Sequence, residues 1–265
     1  TVDVTVPSGT YAIDTGFIVF NDRTYPNFQR LLDQHRVEYQ PTEMSFSVRN
    51  ENNGWEYSGS SFAGLLAQKR NLLRPRFWRM LRDISRFNRA APRTIGRSEQ
   101  TVGEYLRQNR YSHEFCESYF LAMGASIWSC PQDQFMEFPI RFIARFFENH
   151  GLLSLTNRPQ WYVIAGGSRE YIPKFAREFR DRIRLQTPIS KVRRFRDRVE
   201  LTTSAGTTEK FDHVVFACHS DQALRLLADP DELERIVLSC FPYESNSVVL
   251  HIDESLLPQN RQTWS

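Results

Sequence analysis

The spacing of apolar residues changes twice along the chain, and this change limits the possible folds more than any other feature. At the start, Val2 to Val6 alternate with polar residues as in a strand, and Pro7-Ser8-Gly9 predicts the turn of a hairpin. From residue 61 to about residue 149, apolar residues recur at helical spacing, and short alternating stretches return after Trp161. The sequence therefore predicts a mixed α/β fold in which a helical block interrupts strand-rich parts.

Capping signals predict the boundaries of several helices. Thr24 is predicted to cap the first helix, and Thr101 with Glu104 has the pattern of a capping box. Ser112 is predicted to cap a later helix, and Gly151 to end the last of about four helices in the block. Strands are predicted at residues 44–48, 55–57, 161–164, 183–185, 190–195, 199–203, 209–211 and 214–217.

Composition limits the class of protein. With 265 residues, of which 40% are hydrophobic, the chain can bury a full core. Because the sequence has neither an apolar run of membrane-spanning length nor a signal-peptide pattern, we expect a soluble, cytoplasmic protein. The four cysteines form no C-x-x-C pair and the six histidines are scattered, so no metal site is predicted and the thiols are expected to be reduced.

One segment, residues 69–97, is strongly basic, with ten cations against the single acid Asp83. Apolar residues such as Phe77 and Trp78 lie between the charges, a pattern typical of helices that contact an anionic membrane or an acidic partner. The same pattern is also typical of a solvated helix face, and both interpretations stay open at this point. No nucleic-acid-binding motif accompanies the charges, so no nucleic acid partner is predicted.

Three landmarks occur in one order along the chain. Asp14-Thr15-Gly16-Phe17 ends a predicted strand, and Gly166-Gly167-Ser168 follows the predicted strand from Trp161. Pro188-Ile189 then opens a run of strands that ends at Ala217. This pattern resembles the superfamily of FAD-dependent amine oxidases and phytoene desaturases. The segments 44–48, 71–78 and 216–219 further resemble a bacterial subgroup described as predicted NAD/FAD-binding proteins or flavin-containing amine oxidases. His35-Arg36 stand where the family usually has a glycine.

The resemblance implies a fold of two interleaved parts. A helical substrate domain would be inserted in an FAD-binding domain of the glutathione-reductase-like, amine-oxidase type, which also carries a β-meander. The implied boundaries are 1–43 for the first flavin-domain strands and helix, and 44–160 for the mainly helical substrate domain. Residues 161–228 would form the flavin-domain meander and strand, and residues 229–265 would return to the substrate domain.

The resemblance also implies a cofactor and a set of binding residues. FAD would take a hydride from a C–N or C–C bond and would itself carry the chemistry, so no catalytic side chain is predicted. Residues implied at the cofactor are Asp14, Thr15, Gly16, Phe17, Gly166, Gly167, Ser168, Ile189 and Ala217. Residues implied at an amine or lipid-like substrate are Trp128, Phe138, Trp161 and Tyr162.

Two segments of the family pattern do not occur in these 265 residues: the G-x-G-x-x-G of a dinucleotide-binding fold and a glycine-rich segment near the C-terminus. We therefore interpret the chain as the central part of such an enzyme, and expect it alone to be inactive and to hold little FAD. Three functions stay open: an amine-oxidase-like oxidoreductase, a flavin-dependent desaturase of a lipid or acyl chain, and a non-catalytic binding module.

Overall fold

A computed structural model describes residues 1–59, 62–95, 98–154, 158–243, 245 and 247–264. The chain divides into two compact units, Thr1–Arg177 with His251–Ser265, and Glu178–Leu250. Helices and strands both occur in each unit, which confirms the mixed α/β class.

Antiparallel pairs make up the sheets of the larger unit. The strands are β1 (Val2–Val6), β2 (Gly9–Ile13), β3 (Phe20–Asn21), β4 (Tyr39–Thr42), β5 (Ser47–Asn50), β6 (Trp55–Ser58) and β7 (Trp161–Ile164). Strand β1 pairs with β2 so that Val6 lies opposite Gly9, which confirms the hairpin predicted at this point. Strands β5 and β6 form a second hairpin, as predicted. Strand β7 lies between β3 and β4, although it follows them by more than a hundred residues.

Helices fill most of the segment between β6 and β7. The helices of the larger unit are α1 (Pro26–Gln34), α2 (Phe62–Leu65), α3 (Pro75–Ala90), α4 (Val102–Gln108), α5 (His113–Phe115), a π-helical turn (Cys116–Leu121), α6 (Ala122–Trp128), α7 (Gln132–Met136), α8 (Ile140–Asn149) and α9 (Tyr171–Ala176). Both bonds of the predicted capping box form, because the Thr101 hydroxyl accepts from the Glu104 N–H and the Glu104 carboxylate accepts from the Thr101 N–H. Gly151 follows α8 with φ of 69°, as expected of a residue that ends a helix.

The helical block is more divided than the sequence analysis predicted, because prolines interrupt it. Pro75 begins α3, while Pro131 and Pro139 stand directly before α7 and α8. Each proline lacks a backbone N–H and disfavours the helical conformation of the residue before it. A new helix therefore starts at or after these positions.

Two apolar clusters stabilise the larger unit. The large cluster, which we call the helical core, joins the β5–β6 hairpin to the helices. Trp55 and Tyr57 of β6 meet the ring of Phe77 edge-on, with centroids 5.8 and 6.2 Å away. The small cluster lies against the three-stranded sheet and consists of the buried residues Phe20, Leu32, Val37 and Ile164.

The segment after residue 251 is fixed to the β5–β6 hairpin by polar contacts. The buried Glu56 carboxylate accepts the N–H groups of Gln259 and Asn260 at 2.9 and 3.0 Å. Arg49 donates to the carbonyl oxygen of Leu257 at 2.9 Å. A carboxylate that accepts two backbone N–H groups at the start of a short turn acts as its cap.

The smaller unit contains a meander and two helices. Its elements are β8 (Ile189–Arg194), β9 (Val199–Thr203), β10 (Thr208–Phe211), α10 (Ser220–Leu226) and α11 (Glu232–Ser239). Arg194 donates to the Glu234 carboxylate at 2.8 Å and to the Asp229 carbonyl oxygen at 2.8 Å, which ties β8 to the start of α11. The hydrogen bond from Arg194, together with the Asp231 N–H, lowers the pKa of Glu234 to about 2.

Three local predictions are wrong. Thr24 does not cap α1, because its hydroxyl and N–H both donate to the buried Asn21 side chain, and Tyr25 precedes the helix instead. Residues 183–185 and 214–217 are not strands. Their apolar side chains find no partner strand among the described residues, and Leu185 and Val215 are 81% and 88% exposed.

Candidate cofactor site

Asp14 joins two of the three sequence landmarks. Its carboxylate oxygens accept the N–H of Ser168 at 3.0 and 2.9 Å and also accept the Thr1 hydroxyl. The Ser168 hydroxyl lies 3.1 Å from Asp14 Oδ2 and donates to the Phe17 carbonyl oxygen at 2.7 Å. The segment after β2 and the turn after β7 therefore lie side by side, although Asp14 and Ser168 are 154 residues apart.

The charge of Asp14 is stabilised where it lies. Burial raises the pKa of its carboxyl, but the hydrogen bonds from the Thr1 hydroxyl and from Ser168 outweigh burial, so the pKa lies below its usual value. Hydrogen bonds to an ionised carboxylate are stronger than neutral ones. Asp14 is thus an ionised link between two backbone segments, with its side chain only 11% exposed.

The glycines of the turn after β7 are required by the backbone itself. Gly166 and Gly167 have φ of 80° and 95°, values that residues other than glycine rarely adopt. A Cβ on Gly167 would lie 2.8 Å from Thr1 Cγ2, and one on Gly166 would lie 3.1 Å from Glu170 Cγ. The structure thus gives a reason for these glycines that involves no cofactor.

Gly16 differs from the other two glycines. Its φ lies outside the left-handed region, and a Cβ built on it would meet nothing within 4 Å. No described residue hydrogen-bonds to the N–H of Thr15 or Gly16, and both residues are exposed. Phe17 beside them packs edge-on against Phe28 at 5.2 Å, which fixes the segment from one side. An exposed, bare backbone with unused donors fits the approach of a flat, polar-edged ring such as isoalloxazine.

The candidate substrate residues of β7 face opposite ways. Trp161 is nearly buried and stacks on His150 at 6.2 Å, and His150 in turn stacks on Phe146 at 3.9 Å. Tyr162 packs against Phe20 in the small cluster, with centroids 5.6 Å apart. This follows from the alternation of side chains along a strand, so the two cannot face one pocket from the same side.

Trp128 and Phe138 lie together within the helical core. Their ring centroids are 6.1 Å apart, and Trp128 also contacts Phe146 at 4.7 Å. Phe146 and His150 thus connect Trp128 to Trp161 through stacked rings. A substrate role for these aromatic residues stays a prediction.

The remaining two candidate cofactor residues belong to the smaller unit. Ile189 begins β8 opposite Thr203 and is partly buried. Ala217 is exposed and lies just before α10 in a stretch without regular structure. Their proposed contacts with FAD stay predictions.

The basic segment contains helix α3, most of whose apolar residues face the helical core, whereas Trp78 is half exposed. Phe77 is fully buried, and Leu81 and Ile84 pack against the same cluster. Arg86 is held by three neighbours: it lies 3.4 Å from Asp83 and 4.1 Å above the Tyr111 ring, and it donates to the Asn109 carbonyl oxygen at 3.1 Å. Packing within the chain therefore accounts for Phe77, Leu81 and Ile84, but not for Trp78. Arg97, at the end of the segment, lies outside the described residues.

Two further kinds of feature, a membrane-spanning helix and a cluster of metal ligands, do not occur among the described residues. No described helix has the length and apolarity needed to cross a membrane. Nor do three or more described His, Cys, Asp or Glu side chains gather as metal ligands.

Comparison with known families identifies the landmarks. The sequence model described as "Flavin containing amine oxidoreductase" matches residues 4–255, almost the whole chain. The chain belongs to this family. The family description names a flavin, the group that the resemblance implied at Gly16 and Gly167. A search of curated proteins finds no match.

Solved structures show the same fold. Cyclohexylamine oxidase from Brevibacterium oxydans IH-35A is 14% identical with a TM-score of 0.64, and the match covers 87% of this chain and 52% of that one. Putrescine oxidase bound to putrescine is 14% identical with a TM-score of 0.62, covering 90% of this chain and 54% of that one. A fatty acid isomerase from P. acnes, described as producing CLA, is 13% identical with a TM-score of 0.50, at 90% and 54% coverage. The chain thus spans about half the length of these proteins.

Proposed function

We propose that this chain is part of an FAD-dependent oxidoreductase that takes a hydride from the C–N bond of a small amine. The observation that carries the proposal is the bare backbone at Gly16, held beside the Gly166-Gly167 turn by Asp14 and Ser168. Family membership supports the flavin, and two solved neighbours are named as oxidases of amines, cyclohexylamine and putrescine.

In this proposal the chain would hold the isoalloxazine end of FAD. This ring system supplies the capacity to accept a hydride. The Thr15 and Gly16 N–H groups would donate to polar atoms at the ring edge. Ser168 and Asp14 would keep the two turns at a fixed separation, because both Asp14 oxygens are hydrogen-bonded. A fixed site needs little reorganisation when charge develops on a bound ring.

The helical block is proposed to be the substrate domain. Trp161 would form one wall of the amine site, because its ring reaches from β7 toward the helices through His150. Aromatic walls exclude water and leave the neutral amine as the form that loses a hydride. Ile189 and Ala217 are proposed to contact other parts of FAD.

We favour an amine over an acyl lipid as the substrate. The lipid alternative depended on the basic helix α3, and three of the four apolar residues in its pattern, Phe77, Leu81 and Ile84, pack in the helical core. Trp78, the fourth, stays half exposed. A membrane or acidic partner at α3 is accordingly not part of the proposal.

The decisive variant is Gly16→Val in the full-length protein, with Gly59→Val as the matched control. Both glycines are exposed and outside the left-handed region, and a Cβ on Gly59 would meet only the Phe46 carbonyl oxygen, at 3.8 Å. We expect Gly16→Val to weaken FAD binding by at least about tenfold, because a branched side chain blocks the approach of the ring. Flavin content and the free energy of unfolding of the FAD-free protein are measured together.

The proposal predicts equal unfolding free energies for both variants and loss of flavin only at Gly16. If Gly16→Val retains FAD as well as the control does, Gly16 does not face the cofactor. Anaerobic titration with putrescine, cyclohexylamine and an unsaturated fatty acid then tests the reaction. If only the fatty acid bleaches the flavin, the substrate is a lipid and not an amine. If the protein binds no flavin, it is a non-catalytic module.

A further inference from the structure

A cavity of about 1080 Å³ lies in the helical part of the larger unit. Its walls come from the β5–β6 hairpin, the first turns of α3 and the π-helical turn. This volume is in the range of small-molecule sites. None of its lining residues belongs to the Gly16 or Gly167 segments, so the cavity is separate from the proposed flavin site.

The π-helical turn is held rigidly at the cavity wall. The buried Tyr57 hydroxyl donates to the Ser118 carbonyl oxygen, and the Asn50 side-chain amide donates to the Ser118 hydroxyl at 3.0 Å. Burial raises the pKa of Tyr57 well above its usual value, so the phenol keeps its proton as a donor. Turns of this kind are rare within helices and are frequent at functional sites. Here the extra residue places Glu117 in the cavity wall.

Two side chains of opposite charge in the cavity wall make no hydrogen bond or ion pair among the described residues. Arg79 on α3 and Glu117 on the π-helical turn have no hydrogen bond or ion pair with any described side chain. Arg76 is only loosely paired, because its guanidinium lies 3.5 Å from Glu114 and its side chain is 76% exposed. The cavity lining also includes the apolar residues Val48, Trp55 and Ala122.

We propose that this cavity binds a zwitterionic small molecule with an apolar body, of the chemical class of an aromatic or aliphatic amino acid. Its carboxylate pairs with Arg79 and the exposed Arg76, and its ammonium group pairs with Glu117. Its apolar body covers Trp55 and Val48. A ligand with only one charge would pair with either the arginines or Glu117 but not with both, and would lose the attraction of the other.

The test compares three ligands of one shape: phenylalanine, phenethylamine and hydrocinnamate. Calorimetric titration of the protein is expected to show binding of phenylalanine at least about tenfold tighter than binding of the other two. Arg79→Gln and Glu117→Gln are each expected to weaken phenylalanine binding about tenfold. The matched controls are Arg82→Gln, an exposed residue on the same helix, and Glu137→Gln, an exposed residue outside the cavity lining. Both should bind like the wild type.

Each other outcome overturns the proposal. If phenylalanine does not bind, or binds no better than the two singly charged ligands, the cavity is not a zwitterion site. If its binding is lost in Gly16→Val and kept in Arg79→Gln, the ligand lies at the proposed flavin site instead. The cavity variants are expected to keep their flavin content, because the lining excludes the Gly16 and Gly167 segments, so failure here and failure of the proposed oxidoreductase function are distinguishable.

Discussion

The helical core and the three-stranded sheet of the larger unit are stabilised in opposite ways. The core is a continuous set of buried rings, in which Phe120 alone contacts Phe87, Phe115 and Phe147 within 6 Å. The sheet buries a small cluster, and its glycine turns are joined by the carboxylate of Asp14. Burial produces a filled interior, whereas a polar link can hold two segments together and still leave a backbone edge exposed.

The largest expected effect is in the core. Phe120→Ala removes a fully buried ring from the π-helical turn and is expected to lower the free energy of unfolding by about 3–5 kcal/mol. Phe142→Ala on α8, where the ring is 49% exposed, should cost less than about 1 kcal/mol. Denaturant titration of both variants measures the difference. Equal losses would mean that the core is not tightly filled.

A smaller effect is expected at the glycine turn. Gly167→Ala forces a side chain into φ of 95° and against Thr1, so we expect a loss of roughly 2–3 kcal/mol. Gly16→Ala should change stability by less than about 0.5 kcal/mol, because its Cβ meets open space. The same loss in both variants would show that Gly16 is structural and would remove the basis for a cofactor approach there.

The basic helix provides a contrast between two arginines of one element. Arg86→Gln gives up the contacts with Tyr111 and Asn109 and leaves the buried Asp83 without its cation, so we expect a loss of about 1–2 kcal/mol. Arg82 is exposed, and Arg82→Gln should have little effect on thermal stability. If the two melting curves coincide, Arg86 is a solvated charge like its neighbour.

The smallest expected effect depends on pH. Because the folded pKa of Asp14 is lowered, its ionised form stabilises the fold above the unfolded value of about 4, and this contribution is lost as the pH falls through the folded pKa. Asp14→Asn should therefore be less stable than the wild type by about 1 kcal/mol at neutral pH. The difference should shrink below about pH 4. An unchanged difference down to strong acid would mean that the charge of Asp14 does not contribute. The exposed Glu43→Gln serves as the control.

Signals within a few residues were enough to predict much of the fold. The first hairpin, the capping box at Thr101 and the stop at Gly151 all depend on neighbours along the chain, and the structure confirms them. The prediction that Thr24 caps α1 is wrong, because the Thr24 hydroxyl and N–H both donate to the side chain of Asn21, three residues earlier. Residues 214–217 have the composition of a strand, but a strand also needs a partner, which composition does not specify.

The candidate site was predictable only as separate pieces. Asp14 and Ser168 were each assigned to the cofactor from the resemblance. Their direct contact was not predicted, because the two residues are 154 positions apart and no local pattern links them. The contact of Thr1 with Asp14 was missed altogether. It depends on tertiary placement, because the local sequence of Thr1 gives no sign of it.

The order of strands in the central sheet has a kinetic consequence. Thr42 of β4 and Trp161 of β7 are paired, and the whole helical block lies between them in the chain. Contacts close in sequence form early, whereas the entropy of closing such a long loop must be overcome before β7 can pair. We therefore expect refolding to begin within the helices and to finish at β7. Pulsed hydrogen exchange should protect the amide of Phe87 before that of Tyr162, and the open Gly16 edge would then be among the last features of the protein to form.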